Sequence, residues 1–293
     1  MQSYHDLFDA GKHVPGWMPL GIKESYGNRD QHLRYGVNEP PGGRDKGNRR
    51  ALFYLHGLGG HPFENEEMAS AMSERGYTVF CVEQPGMKII YSFDPRHPRE
   101  AVSFFNAFTL KTLLKSIWNG YRVIDQLAEW WGFQKVDVVG LSYGGMTASL
   151  FAAHSPRAHR CILVASSLDI PDVVTNFPKL CEDQRFQILA HWTTAWKRAG
   201  SEDMKRGRGP YGELWRQISP WRIPCNRDAR VTCLSNEGDP VMRADPLKEA
   251  LRLARESGWT GLNVEFLLPT LPKHKVDLSS VGGPICACER YLF

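Results

Sequence analysis

The sequence predicts an α/β fold: a mostly parallel central sheet flanked by helices, with a helical cap inserted between two late strands. Three observations predict it. Short apolar runs rich in β-branched and aromatic residues recur along the chain, and segments with helical spacing lie between them. One long interval, between Ile170 and Asp228, carries helical spacing but no strand pattern. Strands alternating with helices imply βαβ units, a parallel sheet and helices on both of its faces.

The elements follow in order. A turn-rich segment, Pro40-Pro41-Gly42-Gly43-Arg44-Asp45-Lys46-Gly47, precedes the first clear strand signal, Ala51-Leu52-Phe53-Tyr54-Leu55, which ends at His56-Gly57. Residues 64–75 suit a helix that stops at Gly76, and Tyr77 to Val82 is a second β-rich run. Leu110, Leu113, Leu114, Ile117, Tyr121, Ile124, Ala128 and Trp131 keep helical spacing over several turns until Gly132. Val136 to Leu141 is a strand, Gly144 to His154 a helix of small residues, and Cys161 to Ala165 another strand. Residues 229–235 and 263–268 give two more strands around an amphipathic helix near 246–256. The tail, ending Tyr291-Leu292-Phe293, reads as a short final helix docked on the body.

The domain division that results is a core of residues 1–170 and 229–293 and a cap of residues 171–228. In the cap, Phe186, Ile188, Leu189, Trp192 and Trp196 recur at helical spacing. Such an insertion covers the C-terminal edge of the sheet, where open α/β sheets bind their ligands.

Composition narrows the function classes. A chain of 293 residues with 42% hydrophobic and 23% charged residues is that of an ordinary globular protein, long enough for one large core. The net charge is only +4 and no block of five like charges occurs, so nucleic acid is not an expected partner. The seven cysteines are odd in number and include no C-x-x-C pair. Cys81, Cys161 and Cys233 sit inside apolar runs, where a reduced thiol serves as a small core residue. Met1 to Leu20 is polar without a signal-type apolar stretch, and no run of 18 apolar residues occurs, so a cytoplasmic protein with no membrane span is expected. Neither a metal-ligand spacing nor a cofactor fingerprint is present; the glycines after His56 match neither G-x-x-x-x-G-K nor G-x-G-x-x-G.

Chemistry enters with Gly140-Leu141-Ser142-Tyr143-Gly144, a G-x-S-x-G pattern. A nucleophilic serine of this kind sits on a tight strand-to-helix turn that lifts its hydroxyl above the sheet. The turn tolerates only tiny residues two positions to either side, because larger ones collide with the adjoining strand and helix. A Val-rich strand signal precedes this pattern and a helix of small residues follows. Ser142 is therefore the candidate nucleophile.

With these residues in view the sequence resembles the α/β-hydrolase fold family, in its serine hydrolase or esterase-like branch. His56-Gly57-Leu58-Gly59-Gly60 after the first strong strand and Gly140 to Gly144 carry the resemblance. Asp239 and His274 follow in the family's order of serine, acid, histidine, and the likeness covers roughly residues 30–280.

A serine hydroxyl needs a neighbouring base near neutral pH. His274 is the histidine beyond the last two strand signals, a short loop after Val264 to Leu268. Lys273 departs from the small residue usual in the family just before this histidine. The third member is a carboxylate that accepts the other imidazole N–H. Asp239, in Ser235-Asn236-Glu237-Gly238-Asp239-Pro240-Val241, resembles the family's acid loop; Glu237 and Asp169 stand as alternatives. The resemblance also implies an oxyanion hole from the backbone N–H groups of Tyr143 and Leu58, with His56 bracing that loop.

The reading is a serine hydrolase acting on a carboxylic ester or thioester through an acyl-serine. A C–C bond hydrolase, lyase or acyltransferase on the same triad is the alternative chemistry. A non-catalytic small-molecule receptor or interaction protein of the same fold is the alternative class. The substrate is a small molecule with an apolar acyl group, and Met146, Trp192 and Trp196 are candidates to line its site.

Overall fold

The computed structural model describes residues 3–9, 32–43, 50–58, 60–62, 65–86, 110–170, 172–173, 226–266 and 284–293, with backbone alone for 3–9, 32, 110–112 and 284–286. Among these, the strands are β1 (Ser3–Asp9), β2 (His32–Asn38), β3 (Arg50–Leu55), β4 (Tyr77–Val82), β5 (Val136–Leu141), β6 (Ala158–Val164), β7 (Arg230–Leu234) and β8 (Leu262–Glu265). The helices are α1 (Glu66–Glu74), α2 (Leu110–Trp130), α3 (Tyr143–His154), α4 (Ala244–Glu256) and α5 (Pro284–Tyr291).

The strands form one sheet in the order β1-β2-β4-β3-β5-β6-β7-β8. From β4 to β8 every pairing is parallel, whereas β1 and β2 pair antiparallel with each other and β2 runs antiparallel to β4. The predicted mostly parallel sheet is therefore present, with two antiparallel strands at one edge that the sequence reading did not assign. In β2 the signal was a period-two alternation: Leu33, Tyr35 and Val37 are buried.

Because helices cover both faces, the central strands read as continuous apolar runs, and all six residues of β4 are buried. Alternate residues feed two separate cores. Ala51, Phe53 and Leu55 of β3 join α2, α3 and α4 on one face, with Val136 and Val138 of β5. Leu52 and Tyr54 of β3 face α1 and α5 with Val139 of β5. Phe53 stacks on Phe80 at 4.6 Å between ring centroids, and Trp131 meets Phe80 edge-on at 5.0 Å.

Helix α3 is buried all round, from Tyr143 to Ala153. Helix α4 is amphipathic: Ala244, Leu247, Ala250 and Ala254 are buried, while Arg252 pairs outward with Glu249 and Glu256. Gly76 and Gly132, the expected helix stops, hold φ of +93° and +74°. Strand β6 begins three residues before its sequence-based start.

The tail docks as expected. Ala287, Cys288 and Leu292 are buried against α1 and the sheet. The Arg160 guanidinium donates to the Leu292 carbonyl at 2.6 Å, and Tyr291 donates to Glu265 at 2.6 Å. Cys81, Cys161, Cys233 and Cys288 are buried free thiols, as the apolar runs around the first three implied. Among the described residues no helix is long and apolar enough to cross a membrane.

Candidate active site

Since β3 to β7 are parallel, the loops that leave their C-terminal ends all emerge at one edge of the sheet. The order of strands places residues along that edge as Gln84 after β4, His56 and Leu58 after β3, Ser142 after β5, Ser166 after β6 and Asp239 after β7. The chain turns one way from β3 to reach β4 and the other way to reach β5. That switch in direction opens a crevice at the edge.

Ser142 occupies the junction of β5 and α3 with φ 51° and ψ −110°. For a side chain other than glycine this is a strained conformation, worth roughly 1–3 kcal/mol, and such strain concentrates at functional sites. The surroundings hold it there. The Ser142 N–H donates to the Val164 carbonyl at 2.8 Å, and the Ser142 carbonyl accepts from Gly145 N–H at 3.0 Å and from the Ser166 hydroxyl at 2.8 Å.

The glycines of the motif are explained by close approach. A Cβ on Gly140 would stand 2.4 Å from the Gly144 carbonyl oxygen, and one on Gly144 would stand 2.2 Å from that of Leu55. Both obstacles are backbone, which no change of side-chain conformation can relieve.

Tyr143 is the first residue of α3, so its N–H has no carbonyl one turn earlier to donate to. The helix adds its positive dipole end at the same place. The Tyr143 ring points away from the edge into the core, 1% exposed. Its phenol donates to Ser116 Oγ at 2.7 Å, and Ser116 in turn donates to the Pro85 carbonyl. Burial pushes the phenol's pKa well up, so it stays protonated as this donor.

The loop after β3 passes directly beside Ser142. A Cβ on Gly57 would lie 3.7 Å from Ser142 Cβ and 3.6 Å from the Leu141 carbonyl oxygen. Gly60 N–H closes a turn onto the Gly57 carbonyl at 3.0 Å, with Leu58 inside that turn. His56 is fully buried, and its Nδ1 donates to the Gly57 carbonyl at 2.8 Å. Desolvation lowers its pKa to about 4, so the ring is neutral and braces the loop as the sequence suggested.

Asp239 lies in the loop between β7 and α4, 6% exposed. Its Oδ1 accepts from Val241 N–H at 2.8 Å and Met242 N–H at 2.9 Å, which fixes the carboxylate's direction. The two alternatives are placed differently. The Glu237 side chain is 69% exposed and reaches out to Lys248. Asp169 caps the next short turn, accepting from Asp172 N–H at 3.0 Å. Arg243 then grips Asp172 through two nitrogens, which ties the loop between β7 and α4 to the segment after β6.

Met146 is 3% exposed within the larger core, one turn along α3 from Ser142. His274, Trp192 and Trp196 lie outside the described residues, as does most of the 171–228 segment. Sequence reasoning missed Gln84, Ser116 and Ser166. Each acts through side-chain bonds to residues far away in the chain, and no local pattern announces them.

Known proteins resemble this arrangement. The sequence model of the alpha/beta hydrolase fold family matches residues 50–203, over half of the chain. The acylaminoacyl peptidase of Pyrococcus horikoshii superposes with a TM-score of 0.54 at 16% identity, covering 89% of this chain and 38% of the peptidase. The present chain thus spans well under half of that protein's length. Esterase 2 of Thermogutta terrifontis, phosphonylated by sarin, superposes with a TM-score of 0.52 at 14% identity, covering 87% of this chain and 84% of the esterase. At such identities the likeness is one of fold. No curated protein matches the chain. A family match over more than half of the sequence, together with the parallel sheet and the strained serine between strand and helix, assigns the chain to the alpha/beta hydrolase fold family.

Proposed function

We propose that this protein is a serine hydrolase that cleaves a carboxylic ester or thioester through an acyl-Ser142 intermediate. The observation that carries the reading is the backbone of Ser142, held at φ 51° and ψ −110° where a parallel strand meets a buried helix. Strain of that kind persists only when the surroundings enforce it, and here it presents a hydroxyl at the sheet edge.

In this mechanism Ser142 Oγ attacks the acyl carbonyl while His274 takes its proton. The developing oxyanion is received by the N–H groups of Tyr143 and Leu58, fixed donors that need no reorganisation. His274 then gives the proton to the leaving alcohol or thiol. A water molecule, deprotonated by the same histidine, releases the acid and frees the serine.

Asp239 accepts the second imidazole N–H through Oδ2, since Oδ1 is committed to the loop backbone. Strand β7 stands two places from β5, roughly 10 Å at the usual spacing of neighbouring strands. An imidazole held between the two side chains bridges that gap. Residues 171–228 form a cap over the edge, with Met146, Trp192 and Trp196 lining an apolar acyl site.

The test is a fluorophosphonate probe on wild type, Ser142→Ala and His274→Ala, followed by turnover of p-nitrophenyl esters and acyl thioesters of increasing length. Labelling confined to proteins with Ser142, and a loss of at least about a thousandfold in kcat in both variants, is expected. Normal turnover by either variant overturns the mechanism.

A further inference from the structure

We infer that Gln84 is a positioning residue that sets the separation between the two oxyanion donors, the N–H groups of Leu58 and Tyr143. The inference rests on the serine-hydrolase reading above. Those two donors belong to different elements, the loop after β3 and the first turn of α3. The catalytic value of such a pair depends on both meeting one oxygen at about 2.7–3.1 Å. Something must therefore fix the loop to the helix.

Gln84 does so with both ends of its amide. It follows β4 by two residues and is 1% exposed. Its Nε2 donates to the His56 carbonyl at 2.6 Å, and its Oε1 accepts from Thr147 Oγ1 at 2.9 Å. Thr147 is on α3, one turn beyond Tyr143, and its own position is fixed by close packing. A Cβ on Gly120 of α2 would stand 2.7 Å from Thr147 Cγ2. The Gln84 main-chain N–H also points at His56 Nε2 from 3.5 Å.

The loop end of this chain of bonds controls the direction of one donor. The Gly57 carbonyl takes hydrogen bonds from His56 Nδ1 and from Gly60 N–H. The peptide between Gly57 and Leu58 is trans and planar, so the Leu58 N–H points opposite to that carbonyl. Holding His56 therefore aims Leu58 N–H. Gln84 holds His56 by its carbonyl and holds α3 by Thr147, and it joins the two halves of the hole through buried bonds that water does not reach. Buried networks of this kind lose function when one member is left unpaired.

The experiment uses the full chain. Gln84→Met keeps the side chain's length and removes both hydrogen bonds. With p-nitrophenyl esters, kcat should fall about 10- to 100-fold while KM stays within about threefold, somewhat less than the loss of a whole oxyanion donor. An aryl or alkyl trifluoromethyl ketone, which adds to the serine and places an oxyanion in the hole, should weaken by the same factor. The matching carbinol, which forms no adduct, should bind as before. A merely structural role would not single out the ketone. Unchanged kcat and ketone affinity in Gln84→Met overturn the inference. If that variant does not fold, Thr147→Val decides, since it breaks only the helix end at equal volume. A parallel loss of kcat and ketone affinity supports the inference, and wild-type values overturn it. Wild-type protein that shows no Ser142-dependent labelling would instead overturn the serine-hydrolase reading.

Discussion

The Ser166 hydroxyl donates a 2.8 Å hydrogen bond to the main-chain carbonyl of Ser142. The segment after β6 thus grips the strained residue from outside its own turn. Ala165, just before Ser166, is itself at φ 45°, and its N–H reaches the Leu234 carbonyl at 2.8 Å. Two positive-φ residues therefore stand directly after the paired ends of β5 and β6. Ser166→Ala should lower stability by about 1 kcal/mol in urea unfolding, the ordinary worth of one hydrogen bond. It should also lower kcat more than it raises KM, because Ser142 is freed to relax. Lost stability with unchanged kcat would show that the hydroxyl does not hold the nucleophile.

The glycines give a sharper contrast. A Cβ at Gly144 meets the Leu55 and His56 carbonyl oxygens at 2.2 and 2.7 Å, and these belong to the backbone of β3 and its loop. Gly57 also lies beside Ser142, yet a Cβ there finds nothing nearer than 3.6 Å. Gly144→Ala should cost more than about 3 kcal/mol, in the range of severe overpacking, while Gly57→Ala should stay within about 1 kcal/mol. Equal melting temperatures for the two variants would contradict the packing described.

These examples show why some of the molecule was legible in sequence and some was not. Ser142 could be read because its geometry is local: a strand, a turn that excludes side chains and a helix all fall within a few residues. The central strands could be read because burial on both faces leaves apolar runs with little polar interruption, as in β3 and β4. Strand β2 was overlooked although Leu33, Tyr35 and Val37 alternate, since Arg34 and Gly36 lie among them and its neighbours are antiparallel. Gln84 bonds to residues 28 and 63 positions away, and Ser166 to one 24 positions away. No period or spacing encodes such pairs, which exist only once the topology has brought the strand ends together. Asp239 is an intermediate case, because its loop has a family-like pattern while Glu237 and Asp169 compete for the same role on sequence alone.

That competition can be resolved by substitution. Asp239 is buried and aimed by two backbone N–H groups, Glu237 is exposed, and Asp169 is occupied in capping the Asp172 N–H. Asp239→Asn should therefore reduce kcat by about three to four orders of magnitude, as expected when the histidine loses its orienting carboxylate. Glu237→Gln should stay within about twofold, since an exposed ion pair such as that with Lys248 contributes little. Asp169→Asn should retain most activity. A large loss in Asp169→Asn with normal Asp239→Asn turnover would move the acid to the loop after β6.

The last prediction concerns acid stability and His56. The ring is fully buried, and desolvation depresses its pKa from 6.5 to about 4. The folded protein therefore binds its proton less readily than the unfolded chain does. The stability contributed by neutral His56 is complete above pH 6.5 and is lost as the pH falls through the window down to about 4. A shift of this size corresponds to about 3 kcal/mol across that window. Protonation would also turn Nε2 from an acceptor into a donor facing the Gln84 N–H, which strains the bonds around the oxyanion loop. Urea unfolding of wild type and His56→Gln at several pH values between 7 and 4 isolates the effect, because the carboxylates common to both proteins cancel in the difference. The variant should be the less stable protein at pH 7, and its disadvantage should shrink steadily towards pH 4 as wild type loses the contribution of the neutral ring. Parallel stability profiles for the two proteins would mean that His56 titrates in the folded protein as it does in the unfolded chain, and that the ring is not held in the dry environment described.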